Sequence, residues 1–148
     1  MNSESKLISA GFKAENDQEF YFELTDNYQK SDCSYFVLEN VLPHLKSDKY
    51  CLQSAQAAFK LKSWIEAFGE PVQLACDAPT YDGPLIVLLM DQHKCWPENL
   101  DRKILDVGNY LISERIERYF EVNDFAIRHH ALWDARALAA AAKGSIND

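Results

Sequence analysis

The chain has no Cys-x-x-C pair, and its four cysteines, Cys33, Cys51, Cys76 and Cys95, are scattered. Structural zinc sites need close paired ligands, and small disulfide scaffolds need denser cysteine, so reduced and mostly buried thiols are expected. No apolar run approaches the roughly 20 residues of a membrane-spanning helix. The opening MNSESKLISAGF lacks the basic, apolar and small-residue segments of a secretory signal, so a cytoplasmic protein is the expectation. Basic charge is also scarce: 15 Lys and Arg stand against 23 Asp and Glu, for a net charge of −8. That balance argues against affinity drawn from a broad basic surface gripping phosphates. It leaves room for an acidic cleft holding divalent cations, because a bound metal reverses the local sign. Internal repeats, low-complexity tracts and linkers are absent too, which points to one domain over residues 1–148.

What is there suits a folded α/β domain. The 148 residues are 47% apolar and 26% charged, enough to build a hydrophobic core. KLISAGFKA (6–14) reads as a strand, ENDQ as a turn, and QEFYFEL (18–24) as a second strand. In the latter, Phe20, Phe22 and Leu24 take one face and Tyr21 and Glu23 the other. Ser31 and Asp32 open a helix that Pro43 ends, and a longer helix is expected over 51–70, closed by Gly69. PVQLAC (71–76) is a short strand leading through DAPTYDGPLIVLLM into a helix, and 91–100 is a loop. KILDV (103–107) is a further strand, followed by helices over 109–120 and near the end of the chain. Alternating strands and helices after a hairpin predict a mixed sheet with helices on its faces.

The stretch RHHALWDARALAAAAKG (128–144) sets two histidines and an aspartate at the start of an alanine-rich helix. His129 just ahead of the helix and Asp134 in its first turn sit where backbone N–H groups and the helix dipole favour anions. Taken alone, Asp134 does no more than complement the dipole and His129 is a solvated loop residue. Asp82, ahead of Gly83 and Pro84, reads equally well as a helix cap.

Together these segments resemble the DEDDh 3′–5′ exonucleases. HHALWDARALAAA is similar to that family's third motif, with His129 and Asp134 at its histidine and aspartate and His130 at a variable position. DAPTYDGPLI resembles the second motif, with Asp82 as its acidic residue. LISAGF, EFYFELTD and DCSYFVLENVLPHL look like the bacterial 3′–5′ exoribonuclease branch, which has a ribonuclease H-like fold. The resemblance implies a metal-dependent exonuclease acting on short single-stranded RNA or DNA with Mg²⁺ or Mn²⁺. Phosphodiester hydrolysis by two cations wants carboxylate oxygens, hence Asp82 and Asp134 as metal ligands, and a base of near-neutral pKa, hence His129. Asp77 is an auxiliary candidate, and Arg115, Arg118, Arg128 and Arg136 are candidate phosphate contacts, with solvated helix-face charge as the expectation for most of them. Tyr81 and Trp133 offer rings that could stack a base or fill the core.

One motif is missing. The family's Asp-x-Glu pair lies on a strand that should precede LISAGF, where only MNSESK stands, and Glu4 with Asn2 is too close to that strand to form another. A ribonuclease H-like sheet without this central strand would open a seam between LISAGF and VQLAC, with unpaired backbone groups on both sides. Truncation, loss of cleavage, or a strand supplied by a partner such as a second copy would each account for this; the cost of an open sheet favours truncation. Activity of the chain as it stands is expected to be very low. The alternative to the enzyme is a non-catalytic nucleic-acid-binding or assembly domain on the same fold, and beyond it a small acidic interaction protein.

Overall fold

Alternation of apolar and polar residues builds the first hairpin. The computed structural model describes residues 6–45, 49–77 and 82–146, apart from the side chains of Asp82 and of 144–146. Strand β1 (Ser9–Lys13) pairs antiparallel with β2 (Glu19–Leu24), setting Ala10 opposite Phe22 and Phe12 opposite Phe20. The reversal between them passes through Asp17 in the left-handed region at φ 71°, which a short polar side chain tolerates.

The far edge of β2 takes up β3 (Cys51–Leu52) in parallel, with Leu24 opposite Leu52. Sequence periodicity had assigned these two residues to the following helix. The tertiary partner decides otherwise: Glu23 N–H donates to the Tyr50 carbonyl at 2.9 Å and Thr25 N–H to the Leu52 carbonyl at 3.0 Å. Helix α2 (Ser54–Glu66) therefore begins only after them. Its start is held from a distance in sequence, since Asp26 Oδ1 accepts from the Ser54 amide at 2.8 Å and the Ser54 hydroxyl at 2.7 Å. The helix expected to run from Ser31 to Pro43 shrinks to α1 (Tyr35–Asn40), capped by Ser34 and flanked by 3₁₀ turns at Lys30–Asp32 and Leu42–His44.

A separate sheet pairs β4 (Ala75–Cys76) in parallel with β5 (Leu105–Asp106), extended by a bridge between Val72 and Leu100. Helix α3 (Asp82–Gln92) lies between these strands in sequence; α4 (Tyr110–Val122) and α5 (Ala131–Ile146) complete the described chain. The two strands expected to border a seam, β1 and β4, belong to different sheets. One core nevertheless joins them: Leu7, Ala10, Phe22 and Leu24 meet Ala58, Leu61 and Ile65 of α2 and Ile86, Leu89 and Met90 of α3, with Val72 and Leu74 packed at its margin.

The molecule is thus mixed α/β, with α2 and α3 on one side of the hairpin sheet and α5, backed by α4, on the other. This second layer changes the fate of the polar face of β2. Tyr21 and Glu23 are buried, not solvated, because α5 covers them. Gly11 permits that approach: a Cβ there would lie 2.6 Å from the backbone of Ala131 and Leu132. No helix among the described residues is long and apolar enough to cross a membrane.

Candidate functional site at the start of α5

The sheet, α1 and α5 meet around the dipeptide His129–His130. His129 adopts a left-handed backbone, φ 65°, a conformation in which histidine is enriched among side-chain-bearing residues. Its exposed ring meets Phe36 of α1 edge to face, with centroids 4.9 Å apart. His130 turns the other way and stacks on Tyr21 of β2, at 4.9 Å and 23°. The His130 carbonyl accepts the Asp134 amide at 2.9 Å, closing the first turn of α5. Asp134 is exposed in that turn. One helix start thus carries both an imidazole and a carboxylate, in the positive end of the helix dipole.

Asp82 is the first residue of α3; its side chain, like all of Tyr81, lies outside the described residues, as do Asn2 and Glu4. Asp77 is exposed just beyond β4. His129 and Asp134 therefore flank the start of one element, His129 against Phe36 ahead of the helix and Asp134 in its first turn, whereas Asp82 is fixed by its backbone position alone. Among the described residues, no three His, Cys, Asp or Glu side chains are arranged to hold a metal ion. Asp134, exposed in its turn, is a carboxylate of the kind a hard cation takes, one or two of them with phosphate oxygens and water completing the shell.

The arginines are mostly committed elsewhere. Arg136 grips Glu19 with both arms of its guanidinium, Nε to Oε2 at 2.6 Å and Nη2 to Oε1 at 2.8 Å, and covers the Trp133 ring at 4.4 Å. Trp133 in turn packs edge to face on Phe125. Arg128 pairs with Glu117 at 2.9 Å over the Phe120 ring, Arg115 bonds the Ala141 carbonyl at 3.3 Å, and Arg118 is exposed on α4. An open groove of about 580 Å³ runs along α4 past Tyr110, Glu114 and Arg118, and no candidate acid or histidine lines it.

Two arrangements were not foreseen from the sequence. The chain does contain one Asp-x-Glu, Asp17-Gln18-Glu19, running from the hairpin turn into the first residue of β2. Its carboxylates are engaged: Asp17 by Lys143 at 3.1 Å and Lys13 at 3.6 Å, Glu19 by Arg136 and by Lys13 at 3.3 Å. The Arg136 hydrogen bonds, against the opposing effect of burial, hold the Glu19 carboxyl below its ordinary range. This pair therefore does not replace the strand-borne acids. The second arrangement is the buried Glu23, whose Oε2 accepts the Tyr21 hydroxyl at 2.6 Å. Burial first, then this bond, pushes the Tyr21 phenol far up, so it stays a neutral donor. The only sequence signal for either was the tyrosine–glutamate face of β2 opposite a glycine in β1. No protein-family model matches the chain, and no curated protein matches it.

Proposed function

We propose that the chain is a ribonuclease H-like, 3′–5′ exoribonuclease-type domain that acts on short single-stranded RNA or DNA and lacks part of its cation-binding set. The observation that supports this reading is that His129 and Asp134 are both exposed at one helix start, with Asp82 opening another helix. Phe36, beside His129 and half exposed, supplies a ring against which a base can rest.

The chemistry divides among the chain's own groups. His129 accepts the proton of the attacking water, a role that its imidazole and its exposure suit. Asp134 and Asp82 are the residues that would hold Mg²⁺ or Mn²⁺. Divalent cations, when bound, neutralise phosphate charge and make water more acidic. A two-metal mechanism needs further oxygen ligands, and Asp17 and Glu19 are tied up in ion pairs. Losing one electrostatic stabiliser typically costs about 10²–10³ in rate, so turnover by this chain is expected to be low.

Those engaged carboxylates also favour a second reading, in which the domain binds nucleic acid or assembles with a second copy without cleaving. Binding of labelled RNA trimer with Mn²⁺, followed by trimming assays, separates the two. On the exonuclease reading, slow Mn²⁺-dependent trimming disappears in His129→Ala and Asp82→Ala, and Asp134→Asn weakens Mn²⁺ binding. RNA affinity without turnover supports the second reading. Trimming that is unchanged in both alanine variants, or no RNA affinity at all, ends the first.

A further inference from the structure

The sheet face beneath α5 contains a group that packing alone does not require. Glu23 is 4% exposed, and a buried carboxyl costs several kcal/mol unless its oxygens are satisfied. Two uncharged groups hydrogen-bond its side chain, the Tyr21 hydroxyl at 2.6 Å and the Cys51 thiol at 3.9 Å. This arrangement leaves the Tyr21 phenol tied at its far end. The ring itself is wedged between Tyr50, edge to face at 5.3 Å, and His130, stacked at 4.9 Å. Tyr21 is thus a rigid post rising from a core strand.

What rests on that post is His130, and two features depend on His130. Its carbonyl begins α5 by accepting the Asp134 amide, and its nitrogen closes the peptide that follows left-handed His129. A left-handed backbone at a residue with a side chain costs on the order of 1 kcal/mol and persists only where its surroundings over-determine it. Phe36 is a weak constraint on this dipeptide, being 52% exposed on a six-residue helix. The constraint from the sheet side is the buried one.

We propose that Tyr21, oriented by Glu23, is a positioning residue for the His129 imidazole and acts through the stacked ring of His130. The significance of that position rests on the reading of His129 as the proton acceptor. The geometry itself does not, which allows the two to fail separately. The sheet, rather than the loop, then sets the direction in which His129 points. The Glu23 carboxyl serves to stop the phenol ring tilting with the loop.

Solution NMR of the full chain with ¹³C-labelled histidine rings tests this. The edge-to-face contact with Phe36 displaces the His129 ring-proton resonances from those of a histidine peptide. In Tyr21→Leu, which removes the stacked ring, that displacement is expected to vanish. In Tyr21→Phe, which keeps the ring and drops the tether, part of it remains, and in Glu23→Gln, whose amide oxygen still accepts from the phenol, it is retained. Unchanged amide resonances of Leu61 and Ile65 report an intact core. His130→Ala provides a second route that leaves the strand untouched, and the same loss at His129 is expected. A His129 displacement that survives both Tyr21→Leu and His130→Ala in folded protein overturns the proposal, whether or not the chain cleaves RNA.

Discussion

Arg136 shows how a single side chain can be spent on structure at a place where chemistry was expected. Both its arms bind Glu19, and its flat face lies on Trp133, so α5 is fastened to the hairpin by a planar, two-point contact. The pair is about one quarter exposed on each side, which screens it and limits its worth to about 1 kcal/mol. Its pH dependence has a defined sign. The Glu19 carboxyl is held below its ordinary value of 4.5, so its contribution is complete above that value and is lost as pH falls through the lower, folded-state value. Urea midpoints of the native chain and Glu19→Gln should differ by a constant amount from neutrality to about pH 5 and converge at more acid pH. Midpoints that stay equally separated down to pH 2 would show that the ion pair is not the cause.

Among elements, the closest approach is that of α5 to β1, and it depends on Gly11. Ala131 and Leu132 bring their backbones to where a side chain would start. Gly11→Ala must therefore displace the start of α5, and the overpacking is expected to cost roughly 1–3 kcal/mol in urea unfolding. The same displacement should disturb His129 and Asp134 together, because both hang on that first turn. A stability loss below 0.5 kcal/mol, read on the ~1 kcal/mol scale typical of point variants, would mean that the helix shifts without resistance. The hairpin and the alanine-rich helix were legible separately in the sequence, from the alternation at Phe20, Phe22 and Leu24 and from the run after Asp134. Their contact was not. Periodicity marks which residues are apolar, whereas Tyr21 and Glu23 are polar residues buried by a helix that arrives more than 100 residues later.

Over the whole molecule, stability is expected to be uneven. The five-residue and six-residue strands of the hairpin share the core with α2, while β4 and β5 are two residues each and Leu105 is 43% exposed. Short ladders with little buried apolar surface open without global unfolding. Native-state hydrogen exchange should therefore release the Leu105 and Val107 amides, bonded to the Leu74 and Cys76 carbonyls, at least about tenfold sooner than those of Phe22 and Leu61. Equal protection at all four would instead mark the two sheets as one cooperative unit. The division matters for the candidate site, since His130, between His129 and Asp134 in the chain, stacks on the firm sheet and Asp77 follows the frail one.

Local chemistry was enough to mark the hairpin strands, most helices and the His129–Asp134 stretch, because each is specified by residues within a few positions of one another. The short β3 and the cap of α2 by Asp26 needed partners 28 residues away, which no local pattern encodes. Only the tertiary structure decided that Asp17 and Glu19 are neutralised by Lys143 and Arg136, and that Tyr21 and Glu23 lie beneath α5. The physical reason is the same in each case. Residue type and spacing fix what a side chain can donate, accept or bury, but which group takes the offer depends on where distant segments pack.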